Sequence, residues 1–203
     1  MNRYWIMLVV FFAVFIWSAI NPFDFGVWVM EVVPGVVALF LFGLTYRKFR
    51  FTDMAYVIIV VHCLILFVGG HYTYARVPLF DWIKEVFDTG RNSYDKLGHL
   101  LQGITPVLVA REFLIRKNIL ARGVWNSVAV VSFALAFSAF YEIIEWGVAL
   151  VSIEEGQEFL GTQGYIWDTQ ADMFYALVGA LLMILFSGLH NKEIDKLEKR
   201  LAE

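Results

Sequence analysis

From Val27 to Thr45 the chain runs for 19 residues with a single ionisable side chain, Glu31. A segment this apolar belongs in lipid, where no water is available to pair with the backbone. Every N–H and C=O must then be satisfied within the segment, and a helix does that. At 1.5 Å rise per residue, about 20 residues cross the ~30 Å hydrocarbon core. Five further blocks follow the same logic, at Tyr4 to Ile20, Met54 to Gly70, Leu97 to Leu114, Val124 to Val151 and Asp172 to Leu189. The expectation is an all-α polytopic bundle of six transmembrane helices. Residues 1–203 would form one transmembrane domain, with 190–203 a short cytoplasmic tail. Composition agrees: 60% of residues are hydrophobic and 17% charged, against roughly 25% charged in soluble domains.

The first block begins after Asn2-Arg3, but it is bulky and aromatic and ends at Asn21-Pro22 without a small-x-small pattern. It reads as an anchor rather than a cleavable leader. Basic residues orient the bundle. Twelve of the 16 Lys and Arg fall on one side, at Arg3, Arg47 to Arg50, Arg111 to Arg122 and Lys192 to Arg200. Cytoplasmic loops collect Lys and Arg, so both termini are expected in the cytoplasm of a bacterial inner membrane. No basic domain points to nucleic acid. The single cysteine, Cys63, allows no intrachain disulfide.

The polar residues inside the spans carry the functional signal, because each ionisable group at a helix centre costs about 2.5–3.5 kcal/mol on insertion scales. Asp95, His99 and Gln102 stand at i, i+4 and i+7 and so form one stripe at the outer end of the fourth span. Glu142 and Glu145 lie at i and i+3, about two turns below the outer end of the fifth. His71 and Tyr74 close the third span. Gln163, Trp167, Asp168 and Asp172 crowd the start of the sixth. Helix capping accounts for Asp95 and for one of the last two aspartates. It leaves His99, Gln102 and the glutamates unexplained. Lys96 reads as a rim charge that neutralises acids. Glu112 beside Arg111 reads as a local pair, and Glu31 as isolated. Leu79 to Phe87 reads as a short interfacial helix or a covering loop.

Four helices thus bring His and carboxylates to one leaflet. The predicted site faces outward, centred on His99, Glu142 and Glu145 as candidate acid–base or catalytic groups. Asp95, Gln102, His71, Tyr74, Gln163, Trp167, Asp168 and Asp172 would bind around them. Histidine with carboxylates suits a divalent metal such as zinc, iron or manganese, and the same groups serve acid–base work without one. No H-E-x-x-H or Glu-x-x-His signature decides between them. The functional expectation is a site that binds or processes an envelope amphiphile beside the lipid bilayer. A non-catalytic ligand-binding or resistance module, or a proton- or ion-coupled carrier, would use the same residues. Whether the protein is an enzyme stays open.

The motifs GHYTYARVP, YDKLGHLLQG, YEIIEW and LGTQGYIWDTQADM, in that order, resemble the YjdF-type bacterial inner-membrane proteins. That resemblance implies a multi-pass inner-membrane protein and imports no activity. A more distant likeness is to the VanZ-like membrane proteins associated with glycopeptide resistance. Asp95, Lys96 and His99 match their D-K-x-x-H, and Glu142 matches their later acidic helix loosely. Their closing motif is met only in part. Ala176 stands in place of its asparagine, Gly179 matches its glycine, and no arginine precedes Asp168 in that loop.

Overall fold

The computed structural model describes residues 3–151 and 163–203, and the described residues are helical throughout apart from their connections. In chain order the helices are α1 (Arg3–Ser18), α2 (Phe25–Thr45), α3 (Asp53–Tyr72), α4 (Pro78–Phe87), α5 (Tyr94–Arg116), α6 (Val124–Val151), α7 (Asp168–Leu185) and α8 (Ser187–Ala202). Four of them, α2, α3, α6 and α7, are long and apolar enough to cross a membrane by length and composition. With 16 residues, α1 reaches only ~24 Å. α5 has the length but carries acids and bases at both ends.

Local chemistry fixes the helix ends. Asp24 caps α2 by accepting from the Val27 N–H at 2.9 Å. Thr52 does the same for α3 through the Ala55 N–H. Asp24 and Thr52 supply the side-chain oxygen that the first turn of a helix lacks. α3 stops where Thr73 and Tyr74 both turn left-handed, at φ 54° and 53°. The Tyr74 N–H returns to the Gly69 carbonyl at 2.8 Å. This hairpin of backbone folds the Tyr74 ring back over Gly69, where an added Cβ would sit 2.4 Å from the ring.

The bundle has two apolar cores. One joins α3, α5, α6 and α7 around Ala55, Val107, Leu108, Val130, Ala134, Ala180 and Met183. The other joins α1, α2 and α3 around Phe11, Trp28, Val32, Cys63 and Phe67. Large apolar side chains also face outward around the bundle, among them Phe40, Leu44, Phe140, Ile143 and Leu185. Exposure on this scale would drive a soluble protein to aggregate; here it is the surface that lipid covers.

The tightest crossing is α5 against α7, and it is made by backbone. A Cβ on Gly103 would stand 1.9 Å from the Ala176 carbonyl oxygen, and one on Gly179 would stand 2.0 Å from that of Leu100. Small residues let helix backbones approach closely in lipid, where dispersion rather than water exclusion holds helices together.

The end of the bundle that carries both termini is fastened by a buried polar network. Glu112, fully buried, accepts from the Thr52 N–H at 2.9 Å, the Thr52 hydroxyl at 2.8 Å and Arg116 at 2.8 Å. His190 of α8 lies between Glu112 at 3.3 Å and Arg111 at 3.1 Å, and Arg111 also donates to Asn191 at 2.6 Å. The local Arg111–Glu112 pair expected from adjacency is therefore not what forms. Neighbours in a helix point about 100° apart: Glu112 turns to Thr52 and Arg111 to Asn191, and the two meet through His190. The last segment is helical rather than loose, with His190, Ile194 and Leu197 on its buried side.

Candidate functional site

At the opposite end the sequence stripe on α5 meets the acids of α6 and α7. His99, Gln102, Glu142, Glu145, Asp168 and Asp172 are all buried. His99 Nδ1 lies 2.9 Å from Gln102 Oε1 and 3.8 Å from Glu142 Oε1, and its Nε2 lies 3.6 Å from Asp172. The Gly103–Gly179 crossing holds α5 and α7 close enough for this. Two separate groups of ligand-type atoms result, each within 4.8 Å: His99, Glu142 and Glu145, and Asp95, Asp168 and Asp172.

The second group is already occupied by a cation. Lys96, read as a rim residue, is buried with only 8% of its surface exposed. Its ammonium stands 2.7 Å from Asp168, 2.8 Å from Asp172 and 3.2 Å from Asp95. A buried ammonium needs partners for its charge, and three helical positions supply them. Arg91 completes the array, bonding Asp95 and reaching Asp168 at 2.6 Å. Burial works against its charge, and the bonds to Asp168 and Asp95 more than offset that, so Arg91 sits above the usual arginine value. Tyr165 lies under both cations, its ring centre 5.5 Å from Arg91 and 6.0 Å from Lys96.

Other expected members lie elsewhere. His71 Nδ1 pairs with the Ser18 carbonyl at 3.0 Å, and its ring packs on Trp17. It joins α1 to α3, away from His99. Gln163 clasps the backbone of Asn92 through two bonds, at 3.0 and 2.8 Å, and so pins the chain before α7 to the chain before α5. Trp167 is 59% exposed. Tyr74 does reach the site, between Gly69 and Gly98.

A cavity of about 410 Å³ opens from this cluster. Its polar end is formed by Asp95, His99, Gln102, Tyr141, Glu145 and Asp172. Most of the rest of its wall is apolar and descends past Ala38, Leu41, Val109, Phe133 and Phe137. Glu31 belongs to it as well: Tyr141 donates to its carboxylate at 3.3 Å, and Tyr74 bonds it too. The isolated acid of the sequence thus has partners, which its linear neighbours could not reveal. His62, bonded to Thr105 at 3.1 Å, lines the same wall. A signal existed for both, since an ionisable residue in mid-span is a functional candidate by default.

The cavity lies between α2 and α6, which make little direct contact although each packs on its own neighbours. Val37 and Leu41 of α2 and Phe133 and Phe137 of α6 line it while remaining exposed at the bundle surface. Pro34 and Pro106 also line it, each inside a helix. A proline there removes one backbone bond, so α2 and α5 each give up one helical hydrogen bond at the wall of the cleft.

Comparison with known proteins agrees with a membrane bundle. Residues 3–193 match the family described as "Predicted membrane protein (DUF2238)". The chain belongs to this family. It is also 44% identical over 173 residues to "Inner membrane protein YjdF" of Escherichia coli (strain K12), covering 85% of this chain and 83% of that protein. The YjdF-type resemblance is therefore established, and with it a bacterial inner-membrane location. No solved structure matches the chain. The VanZ-like likeness gains no support here; Ala176 and Gly179, the positions compared, are packing residues of the α5–α7 crossing.

Proposed function

We propose that this protein binds an amphiphile of the cell envelope in the cleft between α2 and α6, headgroup toward His99, Glu142 and Glu145, tail down the apolar wall. The observation that carries this reading is the shape and polarity of the cavity beside His99: polar at one end, mostly apolar along its length, and bordered by lipid-facing residues. From Asp95 to Val109 the α5 wall is ~21 Å long at helical rise, enough for much of an acyl chain. In this reading six helices span, α1 and α5 included, and both termini are cytoplasmic. The distribution of Lys and Arg supports that orientation, in which the polar end of the cleft would face the outer leaflet.

Native mass spectrometry of protein extracted gently from membranes tests the binding. One retained amphiphile per chain is expected, and Ala38→Trp, which fills the apolar wall, should release it. Retention unchanged in Ala38→Trp, or none in the wild type, sinks the proposal. Reporter fusions at Glu203 test the orientation: a fluorescent protein there should fold and glow, and a periplasm-dependent phosphatase should stay inactive.

A further inference from the structure

Two glutamates and a histidine are buried together beside a second acid group, and the two groups differ in one respect. The aspartates are paired with Lys96 and Arg91. Among the described residues no Lys or Arg makes an ion pair with Glu142 or Glu145, and the basic side chain nearest Glu142 is the His99 imidazole. Thr169 bonds the Glu142 carboxylate on one side, yet Glu142 Oε1 is buried without a hydrogen-bond partner, and the His99 ring faces it at 3.8 Å. A buried, unsatisfied carboxylate oxygen is rare because its desolvation goes uncompensated.

We propose that His99, Glu142 and Glu145 form a site for one divalent transition-metal ion of the zinc class. Nitrogen and carboxylate oxygen donors suit zinc, and three protein ligands leave a fourth position open, as in catalytic rather than structural sites. Ligands at 2.0–2.2 Å from a tetrahedral zinc lie roughly 3.3–3.6 Å apart. The three donor atoms lie within 4.8 Å, a gap that side-chain rotation closes. The His99 nitrogen turned toward Glu142 is Nδ1, which Gln102 Oε1 also approaches at 2.9 Å, so an ion bound through Nδ1 would take the place of that contact. Charge also balances. A neutral imidazole, two carboxylates and a dication sum to zero, which is the least costly state for a site at membrane depth. The site is independent of the amphiphile reading except in its use: at the head of the cleft, the open position would receive an anionic headgroup.

The test uses full-length protein purified in detergent through a histidine-free tag, stripped with chelator and titrated with zinc. One zinc per chain is expected. His99→Ala and Glu142→Gln should each weaken binding about 100-fold or more, and zinc should raise the melting temperature of wild type but not of Glu142→Gln. Glu142→Gln keeps the side-chain volume and removes a buried charge, so it reports on binding even if His99→Ala folds poorly. Absence of stoichiometric zinc, or zinc indifferent to both changes, overturns the site. Zinc lost in Asp95→Asn but kept in His99→Ala also overturns it, by placing the ion on the aspartates. None of these failures touches lipid retention, which Ala38→Trp reads separately.

Discussion

Gly103→Ala is the sharpest probe of the crossing that builds the site. The added Cβ would lie 1.9 Å from the Ala176 carbonyl oxygen, where ordinary contact begins near 3.4 Å. Both atoms belong to helix backbone and cannot rotate away, so α5 and α7 must part by about 1.5 Å. A matching shift at Lys96 would stretch its 2.8 Å bond to Asp172 beyond ion-pair range. Overpacking alone costs about 1–3 kcal/mol, and breaking a buried ion pair costs about 3–5 kcal/mol when one charge is stranded. Alanine returns about 1 kcal/mol as the better helix former. A net loss of about 3 kcal/mol is expected even if the Lys96 array breaks only in part. Reversible denaturation in mixed micelles, followed by tryptophan fluorescence, measures it. Gly43→Ala is the control, because nothing lies within 4 Å of its Cβ; it should be neutral or slightly stabilising. If Gly103→Ala stays within about 0.5 kcal/mol of wild type, the range of an ordinary surface change, α5 and α7 do not cross as described.

Three further outcomes follow from the polar networks. Lys96→Met takes the ammonium from Asp172 and leaves Asp95 and Asp168 with Arg91 alone, and should destabilise by about 3–5 kcal/mol, with Asp168→Asn in the same chain restoring part of the loss; no loss in Lys96→Met would mean the ammonium is not the neutralising group. His190→Ala leaves Glu112 and Arg111 short of a buried partner and should cost about 1–3 kcal/mol, while making α8 cleavable by protease in intact detergent micelles; resistance equal to wild type would show that this network does not hold α8. The exposed Arg122–Asp195 pair responds to acid. The Arg122 hydrogen bond holds the Asp195 carboxyl below its ordinary value, so its contribution is present above the unfolded value near 3.9 and is lost as pH falls through the lower folded one. Asp195→Asn should therefore alter melting slightly at pH 6 and by less as pH falls into the acid range, and a difference that grows in acid would reverse the sign argued here.

Much of this architecture is written in local sequence. The apolar block around α2 requires a helix in lipid, Asp24 and Thr52 mark the starts of α2 and α3, and Asp95, His99 and Gln102 share one face of α5 as their spacing implies. Periodicity reports which residues share a face. It does not report what that face meets. Lys96 looked peripheral because it stands between a cap and a glycine, and only the approach of α7 surrounds it with carboxylates. Glu31 looked solitary because Tyr74 and Tyr141 come from other helices. Adjacency misled for Arg111 and Glu112, whose partners sit on α3, α5 and α8. His71 and Trp167 lie at the same end of the bundle as the site without lining its cavity, since a topological argument fixes depth but not azimuth around the bundle.

A cleft bordered by lipid-facing residues has a thermodynamic consequence for whatever occupies it. Its ligand would arrive from a two-dimensional solution, already stripped of water along its tail. Most of the hydrophobic free energy is then released on entering the leaflet, before the protein is met. Occupancy would follow the ligand's mole fraction among lipids rather than its aqueous concentration. A modest intrinsic preference at His99, Glu142 and Glu145 would suffice to fill the site, and selectivity would rest almost wholly on the headgroup.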